Sequence, residues 1–561
     1  MKLKLFSILA IGLFAFTIPA LGQSALPDLN RTSNFDVQHY IIRVSFDRKK
    51  KQVNGDTTVI LKPLTDKLKK VELDAAALKF SSIVVEPSNV RLKYVVKGEK
   101  VTVDLDKQYA KDASISLRFK YIAVPKKGVY FVDEKKIDGK VLNSSQIWTQ
   151  GEADEAHHWF PSFDFPSDKA TSEEIITADA GETVIGNGVL LDKKTNKDGT
   201  ETHHFKMDVP HSTYLTSFII GKYVKTEDKY GDIPVSYYVY PGIESIVPVA
   251  FGDTKEMIGI FEDLTKTKFP YNKYDQTIVS GFQFGGMENI TATTMADSEI
   301  FFARLPFARG IVTDLVSHEL AHSWFGNLVT CKNWGELWLN EGFATFMEAA
   351  YREKKYGRED YDRKIAVNAE EFLTGQAVNK KQYGLFNRTA GNIAALFDVS
   401  YITYDKGGAV LHTLREQIGD EAFWAAIKIY IDRHALGNVE STDLRKAMEE
   451  TSTQDLGWFF DQWVYATGAP ALQITPTYNS AENKITLQVA QTQKNEGLVP
   501  SAFRLPLEIE FHNGDTITKK QIEVTKRTEN FTLDLDKKPE KIVVDPKNKV
   551  PLKTVKISEI K

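Results

Sequence analysis

Residues 318 to 322 read His-Glu-Leu-Ala-His. Side chains four apart on an α-helix share a face, so His318 and His322 would present two imidazoles one turn apart with a carboxylate beside them. Two such nitrogens suit one Zn2+ at about 2.0–2.1 Å, and Glu319, one residue on, points past the metal to where a water would sit, as its general base. By chance the pentapeptide arises in about one chain in a hundred of this length, so a third ligand and an open position must accompany it. The segment WGELWLNEGFATFMEAA, Trp334 to Ala350, offers Glu341, with eighteen residues between it and His322 for a loop and a returning helix. Thr345 and Glu348 share the Glu341 face. His318, His322 and Glu341 are therefore the expected ligands of one Zn2+ per chain, with Thr345 or Glu348 orienting an imidazole from behind. The single cysteine, Cys331, lies between the two ligand segments. Beside a complete two-histidine, one-glutamate set it is expected to be a small buried hydrophobe.

These residues need elements to hold them. Ile311, Leu315, His318, His322 and Phe325 recur at intervals of four and three, which makes Pro306 to Trp324 an expected helix with both histidines on one face. Helical periodicity continues from Trp334 to Tyr356, from Tyr401 to Ile418, and through AFWAAIKIYIDRHAL and STDLRKAMEET. From Phe35 to about Lys222 the period is two instead, in HYIIRVSFD, DTTVILKPL, ASISLRFKYIAV and TYLTSFIIGKYV, which reads as antiparallel sheet. Alternation returns from about Ala469 in short segments that fit a small β-sandwich. The expected architecture is multidomain α+β: an N-terminal antiparallel β domain over residues 23–225, a mainly α zinc catalytic domain over 226–465, and a C-terminal β-sandwich over 466–561.

With 561 residues, 42% hydrophobic and 26% charged, the chain has the composition of folded domains rather than of a disordered or fibrous protein. A formal net charge of −4 gives no basic excess to neutralise phosphates, so nucleic acid is not an expected partner. One cysteine excludes an internal disulfide framework. Lys2 and Lys4, the apolar stretch Leu5 to Ile18, and Ala20-Leu21-Gly22 form a signal-peptide pattern over residues 1–22, with cleavage expected before Gln23. The protein is then exported, periplasmic or secreted, and carries no membrane anchor after signal cleavage, since no second apolar run is long enough to span a bilayer.

HELAHSWFGNLVT from His318, Trp334 with LWLNEG, and FGGMEN at Phe284 to Asn289 resemble the zinc aminopeptidase family of aminopeptidase N and leukotriene hydrolase. So do DVQHY from Asp36, TQGEADEAHHWFPSFDFPSDKAT from Thr149, STYLTSFIIG from Ser212, KFPYNKYDQ from Lys268 and TYDKGGAVL from Thr403. The resemblance implies a thermolysin-like catalytic domain in which Glu319 takes a proton from water and hands it to the leaving amine, and Tyr404 supplies an oxyanion hydroxyl. It also implies an amine pocket of Glu288 and Glu152, with Gln150 beside the latter. In the Gly285-Gly286-Met287 stretch, two glycines leave room for a substrate backbone to pair as an added strand. A phosphate loop is the rival reading of that stretch, but no Gly-Lys-Ser/Thr follows it.

Departures from the family pattern narrow what carries over. His157-His158 and Ser162 replace an arginine and a cysteine that the motif often carries. Adjacent histidines in an extended segment point to opposite sides, so no second metal is expected there. ITATTM follows Asn289 in place of the usual continuation, and the bulky Phe284 is expected to shape selectivity for the first side chain. The helical fourth domain of larger relatives is absent from the expected architecture, which implies a more open cleft. Leu396 stands where the lipid epoxide hydrolase branch has an aspartate, which argues against that activity. The expected function is an exported zinc aminopeptidase acting on peptides with a free N-terminus. The alternatives are an inactive zinc-binding homologue that serves as a peptide-binding module, and a thermolysin-like endopeptidase.

Overall fold

The computed structural model describes residues 28–561 except 138–139, 144, 380–382 and 394–395. The expected signal peptide, 1–22, lies outside the described residues. The N-terminal domain is built on an eight-stranded sheet in which Val37, Tyr40, Ile42 and Val44 turn inward from Phe35–Asp47. That strand pairs antiparallel with Gln52–Pro63 but parallel with Lys169–Ala178. The expected all-antiparallel sheet is thus mixed at one pairing. The chain between these two strands is long enough for a crossover, which a parallel pair requires and which side-chain alternation does not report. A second, four-stranded sheet contains Gln146–Thr149, whose end delivers Gln150 and Glu152 towards the next domain.

The middle domain is mainly α but opens on a five-stranded mixed sheet, ordered Val224–Tyr230, Ile233–Val239, Tyr274–Val279, Ala292–Ala296 and Gly286–Met287, with the last strand at its edge. All six residues of Tyr274–Val279 are buried, so the strand shows no polar face and no period of two. The helices follow the expected positions. Pro306–Ala308 is a 3-10 turn and the first ligand helix is Arg309–Ala321; the second is Trp338–Tyr356, preceded by a turn at Trp334–Glu336. Ile311 falls in the first turn, 60% exposed, so the buried face of the ligand helix begins beyond it. Arg358–Val378 is a further helix, not among the expected ones, that buries Tyr361, Ile365, Ala369 and Phe372 at helical spacing. A π-turn, Ile402–Lys406, leads into Gly407–Ile418.

The C-terminal region forms two facing sheets of four and three strands, with Ile474, Leu487 and Val489 buried on one and Leu507, Ile509 and Phe511 on the other. His412 joins it to the helices. Its Nε2 donates to Asn548 O at 3.1 Å, while Nδ1 accepts from the Tyr361 hydroxyl at 2.8 Å. Among the described residues no helix is long and apolar enough to cross a membrane.

Candidate active site

His318 occupies the last turn of Arg309–Ala321, and His322 follows at its end with helical dihedrals of −56° and −22°. Glu341 enters from the first turn of Trp338–Tyr356. One of its oxygens, Oε2, lies 3.1 Å from His318 Nε2 and 3.4 Å from His322 Nε2. The opposite ring nitrogens are engaged elsewhere: His318 Nδ1 lies 2.8 Å from Glu348 Oε1 and His322 Nδ1 2.9 Å from Phe325 O. Because a carboxylate and a carbonyl can only accept, both Nδ1 atoms carry a proton, which leaves the two Nε2 atoms, both turned towards Glu341, as the nitrogens that could bind a metal. This buried donor set fits a tetrahedral Zn2+ with one position left open. Of the two expected orienting residues Glu348 takes the role, and Lys364 holds it in turn, donating to Glu348 Oε2 at 2.5 Å and to Asp314 Oδ2 at 3.2 Å. The buried Thr345 hydroxyl makes no hydrogen bond and orients neither imidazole.

Glu319 is buried beside the ligands, and burial pushes its carboxyl up to about 8. The edge strand lies directly against it. A Cβ built on Gly286 would meet Glu319 Oε1 at 2.3 Å, so only glycine leaves the carboxylate where it is. Gly286 and Met287 pair with Met295 and Thr294 on one side only, which leaves the outer edge open to an extended chain. Tyr404 arrives from the π-turn, its ring stacked on His318 at 5.8 Å and 15°. Two glycines make that approach possible, since Gly407 and Gly342 come so close that a Cβ on Gly407 would sit 2.7 Å from Gly342 Cα. Burial, reinforced by the surrounding carboxylates, pushes the Tyr404 phenol well above its ordinary value and keeps it a donor.

Glu152, Glu288 and Glu341 bring carboxylate oxygens within 4.8 Å of one another, as Glu288 and Glu319 do with a nitrogen of His322. Burial raises the Glu152 and Glu288 carboxyls, and the neighbouring acids push Glu152 further. Glu152 Oε1 and Gln150 Oε1 have no hydrogen-bond partner. Gln150 Nε2 donates to Met287 Sδ at 3.2 Å, which places Gln150 against the edge strand. Such crowding of buried acids calls for cations, one at the histidines and one beyond. Phe284, 40% exposed, packs its ring against Phe282 and Phe397.

Glu319, Tyr404, Gln150, Glu152, Gly286, Met287 and Glu288 thus surround the histidines and Glu341, and two further residues lie among them. The Tyr214 hydroxyl lies 3.4 Å from both Glu288 Oε1 and Gly326 O, and accepts from Asn340 Nδ2 at 3.3 Å. Tyr214 stands in the STYLTSFIIG motif and Asn340 immediately precedes Glu341, so both lay within the family-like segments without a chemical signature of their own. Cys331 is buried; its N–H donates to Asn340 Oδ1, burial pushes its thiol well above the ordinary value, and it belongs to none of the metal-ligating groups of three among the described residues. The histidine pair departs from expectation. Residues 156–158 form a 3-10 turn rather than an extended segment, so the His157 and His158 rings lie on one side, 4.7 Å apart. His157 is committed to Asp164 through Nδ1 at 2.7 Å. Among the described residues, the groups of three potential metal-ligating side chains all lie at the active site.

Fold and site together define the class: an HExxH helix and a glutamate of the next helix that converge on one buried site able to hold a metal. The chain belongs to peptidase family M1, matching the Peptidase M1 N-terminal domain over residues 36–215 and the Peptidase family M1 domain over 249–463. Aminopeptidase N of Streptomyces lividans is 33% identical over 344 residues, 59% of this chain and 39% of that protein. Aminopeptidase N of Lactobacillus helveticus is 26% identical over 503 residues, 87% of this chain and 58% of that protein. The chain therefore spans 39% to 58% of the length of these relatives. The solved structure of Legionella pneumophila aminopeptidase A in complex with aspartic acid shares the fold, with a TM-score of 0.80 at 18% identity over 96% of this chain and 61% of that one.

Proposed function

We propose that this protein is an exported zinc aminopeptidase that releases N-terminal residues from peptides. The observation that carries the reading is the pair of buried carboxylates beyond the ligand set, Glu152 and Glu288, the first with an oxygen that has no partner. A metal accounts for His318, His322 and Glu341; a substrate ammonium accounts for the other two. Zn2+ held by those three ligands would polarise the scissile carbonyl and bring a water's pKa to about 7.

Around it the chain's own groups divide the work. Glu152 and Glu288 hold the ammonium and so set the cut one residue into the chain. Gly286 and Met287 offer a strand edge to the substrate backbone. Glu319 takes a proton from the attacking water and returns it to the leaving nitrogen. The Tyr404 hydroxyl donates to the oxygen on which negative charge develops. Phe284, with Phe397, meets the first side chain.

The test is a panel of amino-acid arylamides assayed on the wild type and on Glu319→Gln, with bound zinc measured for both. Wild-type turnover, its loss with a chelator, and a fall of about 10²–10⁴ in kcat for Glu319→Gln with zinc retained are expected. N-acetylated substrates must be refused. Equal turnover of acetylated and free substrates would make the protein an endopeptidase, and zinc without turnover would make it a binding module. Export is supported by the pattern of Met1 to Gly22; the mature protein should begin at Gln23 by N-terminal sequencing.

A further inference from the structure

The two carboxylates assigned to the ammonium come from different domains. Glu152 follows Gln146–Thr149 of the N-terminal domain, and Glu288 follows the edge strand Gly286–Met287 of the catalytic domain. Their spacing depends on how the domains are registered, and a half-buried lysine crosses that joint. Lys169, the first residue of Lys169–Ala178, donates through Nζ to the carbonyls of Asn327 and Leu328, each at 3.1 Å. These carbonyls belong to the turn that leaves the first ligand helix.

Asn327 is the hub of that turn. Its N–H donates to His322 O at 3.0 Å, and its Nδ2 donates to Glu288 O at 2.9 Å. The same stretch of the N-terminal domain is held a second time, where Pro166 O accepts from Asn438 Nδ2 at 2.8 Å. Burial pulls the Lys169 ammonium down to about 7, a cost that an apolar side chain of similar length would avoid. What methionine at 169 could not do is satisfy two carbonyls of one turn at once.

We propose that Lys169 is a positioning residue for amine recognition: it pins the Asn327–Leu328 turn to the N-terminal domain, and through the Asn327 side chain it fixes the Glu288 backbone opposite Glu152. The proposal rests on the aminopeptidase reading for what the pocket binds. It adds that recognition of the N-terminus is set by an interdomain clamp that touches neither substrate nor metal.

Full-length Lys169→Met, Lys169→Arg and Asn327→Asp are compared with the wild type on leucine p-nitroanilide, with zinc content measured and backbone hydrogen exchange followed over residues 286–291 and 326–330. Lys169→Met should raise KM about tenfold with kcat changed less than about threefold, retain zinc, and speed exchange in both segments. Lys169→Arg, which can still donate to both carbonyls, should recover most of the loss. Asn327→Asp, which keeps Lys169 but removes the donor to Glu288, should reproduce the KM effect and covers the case in which Lys169→Met fails to fold. Unchanged KM and unchanged exchange at 286–291 overturn the proposal even if the variant is less stable. A fall in kcat at constant KM also overturns it, since Lys169 would then act through His322. A wild type that turns over no free-amine arylamide overturns the aminopeptidase reading instead; exchange at 286–291 in Lys169→Met still decides whether the clamp holds Glu288.

Discussion

In the proposed mechanism Glu319 and Tyr404 face the same reacting bond with opposite duties, and their surroundings separate them. The carboxyl of Glu319 is lifted by burial towards the range in which it can both accept and return a proton, whereas the Tyr404 phenol is lifted out of reach of ionisation. Tyr404→Phe removes one donor to the developing charge and leaves the ring stacked on His318. It should lower kcat by about 10²–10³ with KM and zinc content nearly unchanged, as read by steady-state kinetics and metal analysis. A variant with near-normal kcat would leave the oxyanion to other groups. At this scale the expected ligand set was legible in the spacing, since a helix puts His318 and His322 on one face, and the structure brings a Glu341 oxygen within 4.8 Å of a nitrogen of each. The orienting partner was not: Thr345 and Glu348 lie on the same helical face, and only the placement of Lys364 behind Glu348 selects one.

Elements position the site through close backbone approach. The edge strand touches Glu319 at Gly286, and the second ligand helix touches the start of Gly407–Ile418 at Gly342. Gly286→Ala puts a methyl group where the Glu319 carboxylate stands, so the base must move. Kinetics should show kcat falling about 10²-fold with zinc retained, because displacements of about 1 Å cost that much; normal kcat would mean that Glu319 is not set by this strand. Trp338–Tyr356 and Gly407–Ile418 were readable by their helical spacing, although residues 338–351 and 407–415 are buried on every side. Tyr274–Val279 is buried on both faces and left no period of two to find, whereas Arg358–Val378 buries Tyr361, Ile365, Ala369 and Phe372 at helical spacing and was passed over among its many charged residues. The parallel pairing of Phe35–Asp47 with Lys169–Ala178 joins residues about 130 apart in sequence, and no local pattern encodes such a partner.

On the scale of the whole molecule, the N-terminal domain forms a wall of the candidate active site, since it contributes Gln150, Glu152 and Tyr214, and its own inner fastening holds that wall. His157 lies at that fastening. Its N–H and Nδ1 both bond Asp164 Oδ2, whose partner oxygen accepts from Thr213 Oγ1 at 2.6 Å, next to Tyr214. Burial alone would favour the neutral ring, but the Asp164 carboxylate prevails and raises His157 to about 9 from an ordinary 6.5. Because the folded value lies above the unfolded one, the contribution is complete below about pH 6.5 and is lost as pH rises through about 9. It amounts to at most about 3 kcal/mol. Urea unfolding at saturating zinc should show wild-type stability falling between pH 6.5 and 9 by more than that of His157→Gln, which cannot carry the charge. Parallel pH profiles for the two proteins would show that the pair does not fasten the domain.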